Sequence, residues 1–207
     1  MYERYVKRLL DLLIALTGLI VLSPLMLLIA LLIKLDSKGP VIFLQKRYGR
    51  HRQLFEIYKF RTMSTETPKD VPTNDLHGAG RYITPIGKVL RKTSLDELPQ
   101  LWNILKGDMA LIGPRPALWN QYDLMTLRDQ YGASDIRPGL SGWAQVNGRE
   151  YLSRDLEKKA RRDGEYAQHI TFWFDLKVFF LTLVKVVNRQ GIVEGDGRDQ
   201  TKPEGQA

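Results

Sequence analysis

The sequence predicts an α+β protein, mostly helical, with an N-terminal re-entrant membrane helix-break-helix, a small antiparallel β-hairpin, and interfacial amphipathic helices around a compact domain. Three observations carry this expectation. An apolar segment runs from Leu9 to Leu35 and is interrupted once, at Ser23-Pro24. Two β-type runs, Val41 to Leu44 and Phe55 to Met63, flank the turn region Gly49-Arg50-His51-Arg52. From Ile86 onward the apolar residues recur at helical spacing. The expected organisation is a membrane anchor over 1–36, a compact domain over 37–190 and a flexible tail over 191–207.

Composition narrows the function classes. The chain has 207 residues, room for one domain plus a membrane element. Its 31 Lys+Arg against 23 Asp+Glu leave a net charge of +8, which favours phosphorylated ligands, acidic lipid headgroups or nucleic acid as partners. The absence of cysteine excludes disulfides and thiol catalysis. His51, His77 and His169 are spread without ligand spacing, which argues against a zinc site.

The apolar segment is long enough to span a bilayer, which takes ~20 apolar residues. It is too long for the apolar stretch of a cleavable signal peptide and has no small-residue cleavage site. Pro24 sits almost at its middle, where it removes a backbone donor and clashes with the carbonyl four residues back. Ser23 can bond the freed backbone locally. Arg4, Lys7 and Arg8 flank one end, and Lys34 and Lys38 the other. Positive charge prefers the cytoplasmic side, so a helix that enters and leaves by one leaflet satisfies both flanks. A kinked spanning helix is the competing reading, because such helices tolerate proline.

Asp36-Ser37-Lys38-Gly39-Pro40 forms a junction before the first strand. In the second strand, alternation places Phe55, Ile57, Lys59, Arg61 and Met63 on one face. Its two cations either meet a ligand or reach water at a sheet rim. Residues 64–80 are polar and rich in Thr, Pro, Asp and Gly, which reads as a mobile surface loop. A helix is expected over Ile86 to Lys92, then Leu98, Leu101, Trp102 and Leu105 at helical spacing, ending at Gly107. Trp119 to Tyr131 and Ser153 to about Ala167 read as further helices. Thr171 to Val187 is apolar and aromatic with Asp175, Lys177 and Lys185, which suits a helix in the membrane interface or a buried core helix.

Three strings can carry chemistry. In Ser94-Leu95-Asp96-Glu97-Leu98-Pro99-Gln100, Ser94 and Glu97 match a capping box. A helix starting at Asp96 would instead place Pro99 harmlessly in the first turn. Either register puts Asp96 at a helix N-terminus, where the dipole and free amides favour a carboxylate and attract phosphate. One carboxylate can then act as nucleophile and the other as a magnesium ligand. In Gly113-Pro114-Arg115-Pro116 the prolines stiffen the backbone around Arg115, whose planar fork suits a diphosphate. The same string also reads as a rigid turn with a surface arginine. The stretch from Arg137 to Arg149 is a glycine-rich loop carrying Trp143, Gln145 and Asn147, able to approach a ligand through its backbone. Trp143 there either stacks on a base or packs inward.

Taken in order, these strings resemble a family. The Ser23-Pro24 break, Lys59-Phe60-Arg61-Thr62-Met63, Arg91 before Ser94 to Gln100, Gly107-Asp108-Met109, Gly113 to Pro116 and the Arg137–Arg149 loop are ordered as in the small monotopic polyprenyl-phosphate phosphoglycosyl transferases, the bacterial sugar transferases. The resemblance covers roughly residues 1 to 190, and the chain looks like the minimal form without extra transmembrane helices. It implies that Asp96 attacks the β-phosphate of a UDP-sugar, expelling UMP, and that undecaprenyl phosphate then takes the phosphosugar. It further implies Mg2+ held by Asp96 and Glu97, phosphate contacts from Arg115, Arg91, Lys59 and Arg149, and a nucleotide or sugar loop at Trp143, Gln145 and Asn147. Ser23 and Pro24 would set the re-entrant break, placing the site at the cytoplasmic face of the bacterial inner membrane. Further partners would be the lipid bilayer, later enzymes of glycan assembly or a second copy of the chain. Nucleic acid is not expected, because the arginines occupy single Pro/Gly-framed positions rather than a stripe with aromatics. Two other readings stay open: a membrane-tethered basic binding module, and a nucleotide-sugar glycosyltransferase that releases UDP.

Overall fold

The structure is a computed structural model that describes residues 2–68, 71, 76, 78–148 and 155–188. It begins with a π-helical turn, Tyr2–Val6, leading into helix α1 (Lys7–Asp36). Helical structure continues through Ser23-Pro24, so the expected break does not divide the segment into two helices. The reason is local. Pro24 cannot donate to the carbonyl of Ile20, and the Ser23 hydroxyl donates to that carbonyl at 2.8 Å instead.

One face of α1 packs on the rest of the chain along its whole length. Ala15, with Leu19 and Leu22, joins Ile57, Leu101, Ile104 and Met109. Further along, Ile29 and Ile33 pack with Phe60 and Leu90. The outer face is bare: Ile20 is 66% and Leu27 72% exposed, in a row with Leu9, Leu13, Leu16 and Leu31. A continuous apolar surface of this kind marks contact with something other than water. The Tyr2–Asp36 stretch is also long and apolar enough to cross a membrane.

Strands β1 (Ile42–Tyr48) and β2 (Leu54–Phe60) form the expected antiparallel hairpin. The first strand runs four residues beyond Leu44, and the second stops before Arg61. Their register sets Phe43 opposite Lys59, Gln45 opposite Ile57 and Arg47 opposite Phe55, so Arg47 and Lys59 share a face. Arg61 leaves that face. Its guanidinium donates to the carbonyls of Ser37 and Lys38 at 2.7 and 2.6 Å, tying down the end of α1.

Helix α2 (Pro85–Thr93) starts as its sequence dictates, with Thr84 Oγ1 accepting from Gly87 N and Pro85 in the first turn. Gly87 has no side chain because a Cβ there would lie 2.0 Å from the Thr62 carbonyl. That approach seats α2 on the end of β2. Helix α2 closes at Ser94, which takes a left-handed φ of 57°. A 3-10 turn follows over Leu95–Glu97, then helix α3 (Gln100–Lys106). The Ser94 side chain makes no capping bond, and Asp96 lies in the turn before α3 rather than at its first residue. Pro99 directly precedes α3, where its missing donor costs nothing. Buried Asn103 fastens α3 to β2, donating to the Glu56 carbonyl at 2.7 Å and accepting from Tyr58 N at 3.0 Å.

A feature unforeseen in the sequence is a parallel pair, β3 (Ala110–Ile112) with β4 (Gly139–Ser141). Strands of three residues give too short an alternation to read. Gly139 permits the pairing, since a Cβ there would sit 2.1 Å from Gly113 N. Helix α4 (Tyr122–Gln130), short α5 (Trp143–Val146), α6 (Leu156–Gln168) and α7 (Phe172–Val187) complete the fold. Helix α7 has one buried face and one exposed face. Val178 is buried against Ile112, Val146 and Tyr166, whereas Phe172, Trp173, Phe179 and Phe180 are exposed. The 191–207 tail lies outside the described residues, as does part of the 64–80 loop.

Two buried polar networks lock these helices together. Asp175 on α7 accepts from Lys7 Nζ at 2.7 Å and Tyr2 Oη at 2.6 Å, and also from the Tyr166 hydroxyl. Arg128 on α4 pairs with Asp163 on α6 at 2.6 Å, both essentially without solvent contact.

Candidate active site

The 3-10 turn Leu95–Glu97 presents its two carboxylates into a cleft of about 610 Å³. Lys59 reaches it from β2, Arg91 from the last turn of α2 and Arg115 from the loop after β3. Residues separated by up to 56 positions, Lys59 to Arg115, thus meet at one point. Glu97 Oε1 accepts from Lys59 Nζ at 2.8 Å and from Arg115 Nη2 at 2.7 Å. Glu97 therefore holds two cations side by side, at the height of its neighbour Asp96.

The electrostatics follow from burial among charges. Burial pushes the Asp96 carboxyl above the usual carboxylate range, opposed by Lys59, reinforced by Glu97 and opposed again by Arg91 and Arg115. Burial lowers Lys59 and Arg91 from their ordinary values, with Glu97 opposing the shift for Lys59 and Asp96 for Arg91. The Glu97 charge raises Arg115 above its ordinary value. Asp96 is thus a half-buried carboxyl group that shares one cleft with three cations, Lys59, Arg91 and Arg115.

Backbone geometry fixes these groups. Arg91 Nε donates to Thr62 Oγ1 at 2.9 Å, which aims α2's last turn at the cleft. The carbonyl of Arg115 accepts from Arg128 Nη2 at 3.0 Å, so the buried Arg128–Asp163 pair stands directly behind the Arg115 loop. Among the described residues no group of three metal-ligating side chains comes together. Two adjacent carboxylates do fit Mg2+, which is ordinarily bound by one or two carboxylates with phosphate and water.

The glycine-rich loop is only partly in the cleft. Gln145 lines it. Trp143 does not stack there: its indole Nε1 donates to Glu165 at 3.0 Å, its ring meets Phe174 edge-on, and Lys177 lies over it. An indole offered both a carboxylate acceptor and an aromatic neighbour packs inward. Asn147 donates to the Trp143 carbonyl at 2.8 Å, closing α5 instead of lining the cleft. Arg137 is turned away, donating to the Gly107 carbonyl at 2.9 Å behind α3. Arg149 lies outside the described residues.

Sequence reasoning missed three charged residues that line the cleft: Arg47 on β1, and Lys159 and Asp163 on α6. For Arg47 a signal existed. Extending the alternation Phe43, Gln45, Arg47 places it on the Lys59 face. For the α6 residues there was none, because their helix reaches the cleft only through packing on α4 and α5.

The family profile described as "Bacterial sugar transferase" matches residues 2–189. The chain is similar to the "UDP-glucose:undecaprenyl-phosphate glucose-1-phosphate transferase" of Escherichia coli (strain K12), 40% identical over 188 residues, covering 88% of this chain and 40% of that protein. It is 40% identical over 196 residues to the "UDP-N-acetylgalactosamine-undecaprenyl-phosphate N-acetylgalactosaminephosphotransferase" of Aeromonas hydrophila, covering 90% of this chain and 45% of the other. With the "Uncharacterized sugar transferase EpsL" of Bacillus subtilis (strain 168) it shares 42% identity over 186 residues, 90% of this chain and 89% of that one. The chain thus spans less than half the length of the first two relatives and most of the third.

Proposed function

The chain belongs to the bacterial sugar transferase family, and from that premise we propose that it moves a sugar 1-phosphate from a UDP-sugar to undecaprenyl phosphate. The observation that carries this reading is Asp96, a half-buried carboxyl group beside Lys59, Arg91 and Arg115 in one cleft. A carboxylate oxygen of Asp96 attacks the β-phosphorus. The bond from that phosphorus to the bridging oxygen breaks, UMP leaves with the electron pair, and an aspartyl phosphosugar remains. An oxygen of undecaprenyl phosphate then attacks the same phosphorus, the aspartyl bond breaks, and Asp96 is restored as undecaprenyl-diphospho-sugar departs.

Such chemistry asks mainly for positioning and neutralisation of spread charge. Arg115 and Lys59, clamped side by side on Glu97, meet the β-phosphate oxygens, and Arg91 supports the Asp96 side. Mg2+ belongs to the proposal: Glu97 and Asp96 would hold it, and when bound it would neutralise charge on the diphosphate.

The membrane part rests on how α1 is tied. Its start is held by the Lys7–Asp175 pair and by Arg8 donating to the carbonyls of Ile104 and Leu105, and its end by Arg61. A straight helix of 30 residues is ~45 Å long and would separate its ends across a ~30 Å hydrocarbon layer. Both ends fastened to one polar domain support entry and exit through the same leaflet. The flanking positive charges support the cytoplasmic leaflet as that side, and the exposed aromatic residues of α7 suit its interface. Pro24→Ala restores the donor to Ile20 and is expected to straighten the segment. Single cysteines introduced as Arg4→Cys and Lys38→Cys then label from opposite sides of a vesicle, but from one side in the parent. Same-side labelling in Pro24→Ala would mean that the proline is not the decisive break.

The reaction is tested by incubating the full chain in nanodiscs with undecaprenyl phosphate, Mg2+ and a panel of UDP-sugars, measuring UMP and UDP separately. Lipid-dependent UMP is the expected product. UDP would move the assignment to a glycosyltransferase, and neither nucleotide would favour a basic binding module.

A further inference from the structure

The far end of the catalytic cleft carries polar groups that the reaction outlined above leaves unused. Lys159, on α6, lines the cleft, yet its ammonium makes no hydrogen bond and no ion pair among the described residues. Arg47 spends its two terminal nitrogens on the Pro116 carbonyl, at 3.1 Å, and on Gln45, while its Nε is buried without a partner. Gln145 Oε1 is likewise buried without a partner. Buried polar atoms are almost always satisfied, so two unmet ones beside an unpaired ammonium in a single cleft call for an explanation.

Building on the proposed reaction, we infer that Lys159, Arg47 and Gln145 form the subsite for the nucleotide half of the donor. The two cations receive the α-phosphate that departs with UMP, and the Gln145 carbonyl receives the uracil N3–H.

The arrangement of charge supports this division. Asp96 feels Lys59, Glu97, Arg91 and Arg115, whereas Lys159 feels Arg128, Asp163, Arg115 and Arg47. Arg115 is common to both sets, and geometry joins them there: the next residue, Pro116, accepts from Arg47 at 3.1 Å, and the Arg115 carbonyl accepts from Arg128, the partner of Asp163 on α6. A nucleoside diphosphate laid along this row puts its β-phosphate at Asp96 and Arg115 and its α-phosphate one position further, at Arg47 and Lys159. In-line displacement requires that order, because the leaving group must depart on the side away from the nucleophile.

The hydrogen-bond inventory also matches. Two unmet donors face phosphate oxygens, and one unmet acceptor faces a base with an N–H. Uracil has that N–H and cytosine does not. Pro116 and Leu118 beside Arg47, and Ala144 beside Gln145, line the same cleft and give the ribose and base apolar walls. An unpaired lysine set among arginines destabilises the empty protein, which fits a binding role better than a structural one.

The test is calorimetric titration of UMP and CMP into the full chain in nanodiscs, for the parent, Lys159→Met, Lys159→Arg and Gln145→Met. Lys159→Met is expected to weaken UMP binding about tenfold or more while its thermal midpoint stays level or rises; Lys159→Arg keeps affinity near the parent's. Gln145→Met brings UMP affinity down to that of CMP. Burial lowers the Lys159 ammonium to about 8, with Arg128, Arg115 and Arg47 adding to the shift and Asp163 opposing it. UMP affinity of the parent therefore falls between pH 7 and 9, and that of Lys159→Arg falls less, because a guanidinium does not titrate with the ammonium it replaces; the charged groups facing position 159 are Arg47, Arg115, Arg128 and Asp163. If the parent releases UMP in lipid-dependent turnover but Lys159→Met and Gln145→Met bind UMP as the parent does, the subsite is wrong and the reaction stands. If the parent neither binds nor releases UMP, both fall together.

Discussion

Asp96→Asn is expected to cut lipid-dependent UMP release at least about a thousandfold, because the amide cannot form the acyl phosphate on which both half-reactions depend. The fold should survive, with a thermal midpoint unchanged or raised. The sign follows from burial, which holds the Asp96 pKa above its ordinary value. Between those two values the unfolded chain gives up its proton and the folded chain keeps it. Stability attributable to this group therefore falls as pH rises through that window. An uncharged amide removes that penalty. Turnover and thermal denaturation measured on one preparation decide the matter. Activity within tenfold of the parent would end the nucleophile assignment, and a collapse of the thermal midpoint would make the lost turnover a folding effect.

The second large effect is on stability. Asp163→Ala leaves the Arg128 guanidinium buried with no counter-charge, since the two side chains are only 4% and 1% exposed. Removing one partner of such a pair costs about 3 kcal/mol or more. For a chain of this size that is a fall of roughly 6–12 °C in thermal midpoint. Activity should fall as well, because Arg128 also donates to the Arg115 carbonyl and so holds the phosphate-facing loop. Thermal denaturation with UMP-release kinetics on Asp163→Ala checks both parts. An unchanged midpoint would show that water or a neighbouring group reaches Arg128. A lowered midpoint with turnover unchanged at a temperature where the variant is folded would separate the pair from Arg115.

The legible parts of this molecule are those written in contiguous strings. The apolar segment, the Asp96-Glu97 pair, Arg115 between prolines and Lys59 on an alternating strand are local patterns, and the cleft contains all the chemistry-bearing residues among them. Arg91 joins them because α2 is short and its last turn abuts the acidic pair. The misread residues share a different property. Trp143 and Asn147 lie on the same short stretch as Gln145, yet only Gln145 meets the cleft. Which side of a four-residue helix faces a ligand depends on what packs behind it, here Phe174 and Glu165. Arg61 was paired with Lys59 by alternation, but the strand ends at Phe60 and Arg61 turns to the end of α1.

The sequence by itself determined the family, the long apolar segment with Ser23-Pro24 near its middle, and the acidic pair with its nearby cations. These are set by residue type and short spacing, and hydrophobicity, proline sterics and charge act at that range. Only the tertiary structure decided that α1 stays helical through Pro24, that Glu97 clamps Lys59 to Arg115, and that Arg47 and Lys159 join the cleft. Those outcomes depend on strand register, on helix-to-helix packing and on which carbonyl or carboxylate lies within hydrogen-bonding distance. Groups over a hundred residues apart, such as Arg47 and Lys159, become neighbours only after the core has closed.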